Sequence, residues 1–122
     1  MSEAAAQAGD DESPLVSRLT GHAKLGRIVE RFVGQLPDKL EQMQSAAQRA
    51  DMVELAALAH WLKGAGGSMG FDDLFEPSKA LEMGARAGDA AVVTAVLAEL
   101  QVLARRIARG RAAPQDKSLE TA

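Results

Sequence analysis

Apolar residues recur every three or four positions from Leu25 to Ile107, and no stretch alternates apolar and polar residues like a strand. That spacing puts the apolar side chains on one face of an α-helix, so the core must form by packing helix against helix. Leu25, Ile28, Val29, Phe32, Val33 and Leu36 make the first stripe, and Leu40, Met43 and Ala47 extend it. Pro37 interrupts, because it lacks a donor and crowds the preceding turn. The pattern predicts one helix over about 24–49, kinked near Pro37, with two abutting helices as the alternative. Val92, Val93, Val96, Leu97, Leu100, Leu103 and Ile107 make the last stripe, over about 90–109.

Helix boundaries are marked by capping chemistry. Asp51, with Glu54 three residues on, predicts the start of a second helix over about 52–69, ending near Gly70. A third helix is expected over about 75–87, where Pro77 is tolerated in the first turn. Gly88 followed by Asp89 predicts a stop and a restart. Arg105, Arg106 and Arg109 suit the C-terminal dipole of the last helix, and Gly110 is expected to end it. Ser13 and Pro14 could begin a short lid helix over about 14–20. Four amphipathic helices with short connections predict an all-α, antiparallel up-down-up-down four-helix bundle over 14–110. Residues 1–13 read as a flexible acidic, Ala-rich arm, and 111–122 as a disordered tail.

The second helix contains a costly feature. Gly64, Gly66 and Gly67 follow His60 within the predicted helix, and each interior glycine loses roughly 1 kcal/mol against alanine. At ~100° per residue, Leu55, Leu58, Leu62, Ala65 and Met69 form the core stripe. His60, Lys63, Gly64 and Gly67 fall on the opposite side. Gly66 borders the core, where tight packing is its expected role. The outer face therefore offers an imidazole, an ammonium and bare backbone. Imidazole titrates near 6.5, so its neutral, nucleophilic form is available at neutral pH. A cation beside it suits a transferred phosphoryl group, whose oxygens carry the charge. Bare backbone leaves space for a second protein to bring that group in line.

Residues 59–82 carry a resemblance that extends this reading. His60, Leu62, Lys63 and Gly64, then Ala65-Gly66-Gly67-Ser68, Met69 and Gly70, resemble the signature of histidine-containing phosphotransfer (HPt) domains. The likeness continues through Phe71, Leu74, Leu81 and Glu82. Pro77 departs from it, since this helix usually runs uninterrupted there. The resemblance implies that His60 accepts a phosphoryl group from a receiver-domain aspartate and passes it to another receiver aspartate. It implies that Lys63 stabilises the phosphoryl charge and that Glu82 can hold the imidazole by a hydrogen bond. The implied partners are response-regulator receivers and a hybrid sensor histidine kinase, with Mg²⁺ held by the receiver. No cofactor or metal is expected on this chain. Gly64, Gly67, Trp61, Phe71 and Phe75 are the expected docking surface, which Met83 could join. Core packing is the default for Trp61 and Phe71, and a salt bridge to Lys79 is the alternative for Glu82.

Composition bears on the remaining classes. A net charge of −3 argues against a general nucleic-acid binder. The chain has no cysteine, hence no thiol nucleophile or disulfide. No apolar run approaches the ~20 residues that span a bilayer, so a cytoplasmic protein is expected. No Gly-rich phosphate loop suggests a kinase ATP site, so it is an enzyme only as a carrier of its own phosphohistidine. His22, the only other histidine, has no acidic neighbour. A core satisfied within four helices makes a monomer the default. The competing reading is a helical docking module for a receiver or other helical partner, never phosphorylated. A purely structural bundle is a third.

Overall fold

The structure is a computed structural model that describes residues 12–121, with side chains described for 12–111. The described residues form four helices, α1 (Ala23–Gln48), α2 (Met52–Ser68), α3 (Phe75–Ala87) and α4 (Ala90–Thr121), with one 3₁₀ turn, Asp72–Leu74, before α3. No strand occurs among the described residues. The expected all-α four-helix bundle is the architecture found. The core is built mainly from aliphatic side chains, with Met43, Leu55, Leu62, Leu74, Leu81, Leu100 and Ile107 among those fully buried. Most of the arm, residues 1–11, lies outside the described residues, as does Ala122.

The local caps form as their chemistry requires. Asp51 accepts a hydrogen bond from the Glu54 amide at 3.1 Å and starts α2. Gly88 adopts a left-handed φ of 69° after α3, and the Asp89 carboxylate accepts from the Val92 amide at 3.2 Å. Pro77 lies in the first turn of α3, where its missing N–H has no helical partner to lose. Pro37 lies inside an unbroken α1, which rules out two abutting helices.

Three expectations are corrected. The first concerns the buried face of α2. Ala56, Ala59 and Gly66 are buried with Leu55 and Leu62, whereas Leu58, Ala65 and Met69 are only partly buried. The small residues let α2 and α3 approach closely: a Cβ on Gly66 would lie 2.9 Å from Leu74 Cδ1. The helix is therefore rotated toward α3 relative to the expected stripe.

The second concerns residues 14–20, which form no helix. They belong to a strap, residues 12–22, crossing the end of the bundle, with a turn closed by the Thr20 amide on the Ser17 carbonyl and two other amides committed to distant partners. The Leu15 amide donates to the Arg106 carbonyl and the Arg18 amide to the Gly70 carbonyl, each at 2.9 Å.

The third concerns Gly110, which does not end α4. The helix runs on through it, and Gly110 is buried beneath the strap. A Cβ there would collide with the Leu15 carbonyl. This gives a prediction of sign. Helix propensity alone makes Gly110→Ala stabilising by about 1 kcal/mol. The clash is with backbone, which cannot rotate away, so the expected result is a net loss of about 1 kcal/mol, visible as a melting temperature lower by about 4 °C. A raised melting temperature would mean that the strap yields freely.

Candidate functional site

The central pair comes from α2 and α3. His60 stands on the outer face of α2 with 66% of its side chain exposed, and Glu82 of α3 is buried beside it with 8% exposed. The carboxylate gathers three cationic or proton-donating groups. Oε2 lies 3.1 Å from His60 Nδ1 and accepts from the Arg86 guanidinium at 2.8 Å. Oε1 lies 3.0 Å from Lys63 Nζ. The Arg86 hydrogen bond, then that of Lys63, hold the Glu82 carboxyl at about 2, below its ordinary 4.5, against the opposing pull of burial; His60 adds a smaller share.

That ionisation fixes the proton on the neutral ring. An ionised carboxylate only accepts, so His60 Nδ1 must be the donor. The neutral imidazole then keeps its free lone pair on Nε2. Two cations keep the carboxylate ionised, and the hydrogen bond leaves one ring nitrogen open to solvent. The rotation of α2 toward α3 explains Lys63: it sits at the edge of the helix interface, only 26% exposed, and is tied to Glu82 rather than held free in solvent. Lys79 is not among the partners of Glu82.

Gly64 and Gly67 leave open space on this face; a Cβ on either would meet nothing within 4 Å. Phe75 is exposed, as are Met83 and Val53. Phe75, Glu82 and Met83 fall on one side of α3 by helical spacing, and Val53 stands seven residues before His60 on α2. Trp61 is half-buried: its ring centroid is 5.8 Å from that of Phe32, and Lys39 Nζ lies 5.0 Å from its ring. Phe71 is a correction. It is buried, 5.9 Å from Phe32 between ring centroids, so it belongs to the core and presents no docking surface.

Two residues escaped the sequence reading. Arg86 is the first cause of the low Glu82 pKa, and its i,i+4 spacing from Glu82 was a usable signal. Val53 follows from the same wheel that placed His60 outward.

The Glu82 cluster has a pH signature. On acidification the unfolded chain binds this proton near 4.5, and the folded chain only near 2. The stability it contributes is therefore complete above about pH 4.5 and lost as pH falls to about 2. Full conversion of the shift gives an upper bound of about 3 kcal/mol; exposure of the Arg86 and His60 side chains screens this to about 1–2 kcal/mol. Unfolding free energies from urea titrations between pH 6 and pH 2 should fall by about that much less for Glu82→Gln. Equal slopes would mean that the cluster is fully screened.

The family model described as Hpt domain matches residues 27–106. No curated protein matches the chain, and no solved structure does.

Proposed function

Because the chain belongs to the Hpt domain family, we propose that it is a phosphorelay intermediate whose phosphoacceptor is His60 Nε2. The family supports a phosphotransfer role in two-component signalling. The observation that carries the finer reading is the bond between His60 Nδ1 and an ionised Glu82.

The Nε2 lone pair attacks the phosphorus of a receiver aspartyl phosphate. The P–O bond to the aspartate breaks, and its electron pair stays on the receiver carboxylate. The N–P bond forms while Nδ1 keeps its proton, so the ring gains positive charge. Glu82 offsets that charge at 3.1 Å. In the second transfer another receiver carboxylate attacks phosphorus, and the N–P electrons return to Nε2. Lys63 and Arg86 add positive potential near the incoming phosphoryl oxygens. The receiver supplies Mg²⁺.

The receiver would dock over Gly64 and Gly67, with Phe75, Met83, Val53 and the exposed edge of Trp61 as apolar contacts. A hybrid sensor kinase would supply the first receiver. No described helix is long and apolar enough to cross a membrane.

The test is incubation with phosphorylated receiver domains, followed by intact-mass and ³¹P NMR measurement. One acid-labile phosphate on the chain supports the relay reading. No phosphate across a panel of active receivers would favour the docking-module reading.

A further inference from the structure

The strap precedes the matched family segment, yet it is bonded to the turn that joins the two helices of the site. It is attached at two places. At one, Glu12 pairs with Arg105 at 2.8 Å and Arg109 at 3.4 Å, the Arg106 guanidinium donates to the Ser13 carbonyl, and Leu15 bonds to α4. At the other, the Ser17 hydroxyl donates to the Met69 carbonyl, and Arg18 forms a two-pronged bridge to Asp72 at 2.7 and 3.1 Å. Arg18 also reaches the Gly67 carbonyl at 3.4 Å. Beside these attachments the strap walls a cavity of about 550 Å³ lined by Val29, Val33, Phe71 and Ile107. Leu15 and Leu19 of the strap pack against the core, so these attachments and that packing together fix its position over the end of the bundle.

The glycines show how closely it is seated. Gly70 has a φ of +85°, and a Cβ there would collide with Ser17 and lie 2.9 Å from the Arg18 amide nitrogen. Gly110 makes the equivalent room on α4. The turn clamped by Ser17 and Arg18 runs from Met69 to Leu74, and it sets how α3 lies against α2. Leu74 packs on Gly66 at one end of this contact, and Glu82 meets His60 two turns further along α3. That hydrogen bond, at 3.1 Å, is already near the long end of the normal range. Lengthening it by a few tenths of an ångström takes it past that range.

We propose that the strap sets the alignment of Glu82 with His60 through the turn between α2 and α3, with Ser17 and Arg18 as positioning residues. Its consequence for transfer rests on the phosphotransfer reading; its consequence for the imidazole does not.

The test uses the full chain and four variants: Arg18→Asp, Asp72→Arg, the two combined, and Gly110→Leu. Gly110→Leu lifts the strap from α4 without touching the α2–α3 turn. Long-range ¹H–¹⁵N NMR of labelled histidine reads the fraction of neutral His60 carrying its proton on Nδ1. Transfer from a phosphorylated receiver is measured in parallel. The intact chain should hold mainly the Nδ1–H form. Arg18→Asp should cut that fraction about twofold and Gly110→Leu further, with transfer slowed about tenfold in the latter. The charge-swapped double variant should restore both readouts, which a change in bundle stability alone would not do.

An unchanged Nδ1–H fraction in folded Arg18→Asp and Gly110→Leu overturns the strap proposal, even if transfer proceeds normally in all chains. If Gly110→Leu fails to fold, the Arg18 and Asp72 variants decide alone. A tautomer that shifts as expected, in chains that accept no phosphate, upholds the strap proposal and defeats the relay reading instead.

Discussion

Replacing His60 with glutamine is expected to abolish covalent phosphate acceptance while the bundle stays folded. The imidazole is mostly in solvent, so its loss creates no cavity. Glu82 keeps Lys63 and Arg86 as partners, so no buried carboxylate is left unpaired. A glutamine amide can still donate to Glu82 Oε2. The stability change should therefore stay within about 0.5 kcal/mol, as for surface substitutions. Activity should fall completely, because an amide nitrogen has no lone pair free for attack on phosphorus. His22→Gln is the matched control: His22 precedes α1 with no side-chain cap bond, and its loss should leave acceptance intact. Intact mass after exposure to a phosphorylated receiver checks both. Residual acid-labile phosphate on His60→Gln would move the acceptor elsewhere in the chain.

What the sequence made legible was chiefly what is local. The caps at Asp51 and at Gly88–Asp89 depend on residues three or four apart, and their carboxylates cap as read, although Glu54 pairs with Arg49 rather than with the Asp51 amide. His60 faces outward because the helical period alone decides it. Glu82 could be set beside His60 only through the family resemblance, since nothing local joins residues 22 apart. The rotation of α2 was not legible, because alanine and glycine carry little hydrophobic signal. Ala56, Ala59 and Gly66 are buried by what they permit, a close approach of α3, rather than by what they contribute. The strap was illegible for a related reason. Its bonds reach residues about fifty to one hundred positions away, and Gly70 and Gly110 look in sequence like ordinary helix ends. Gly70 does lie just past α2, but its bare Cα also makes room for Ser17. Phe71 could have been read either way, and its contact with Phe32 places it in the core.

Gly64→Gln should move stability and transfer in opposite directions. Nothing in the folded chain lies within 4 Å of a Cβ at this position. The substitution therefore meets no internal obstacle, and removing glycine from the middle of α2 should stabilise the bundle by up to about 1 kcal/mol. A structural reason for Gly64 would predict the reverse, as at Gly66, where Leu74 occupies the space a side chain would need. The open volume at Gly64 stands one turn from His60, on the face where the proposed relay has a receiver bring its phosphoryl group to Nε2. A glutamine side chain there would hold the donor back by an ångström or more. Misplacement on that scale costs about 100-fold in a positioned reaction, so transfer from a receiver should slow by roughly that factor. Phosphorylation by phosphoramidate, a donor small enough to pass the side chain, should change far less. A more stable variant that transfers slowly from receivers, yet reacts normally with the small donor, locates the effect in the protein–protein approach. Equal slowing with both donors would instead mean that the side chain disturbs the imidazole itself, and normal transfer from receivers would show that the glycine is not reserved for a partner.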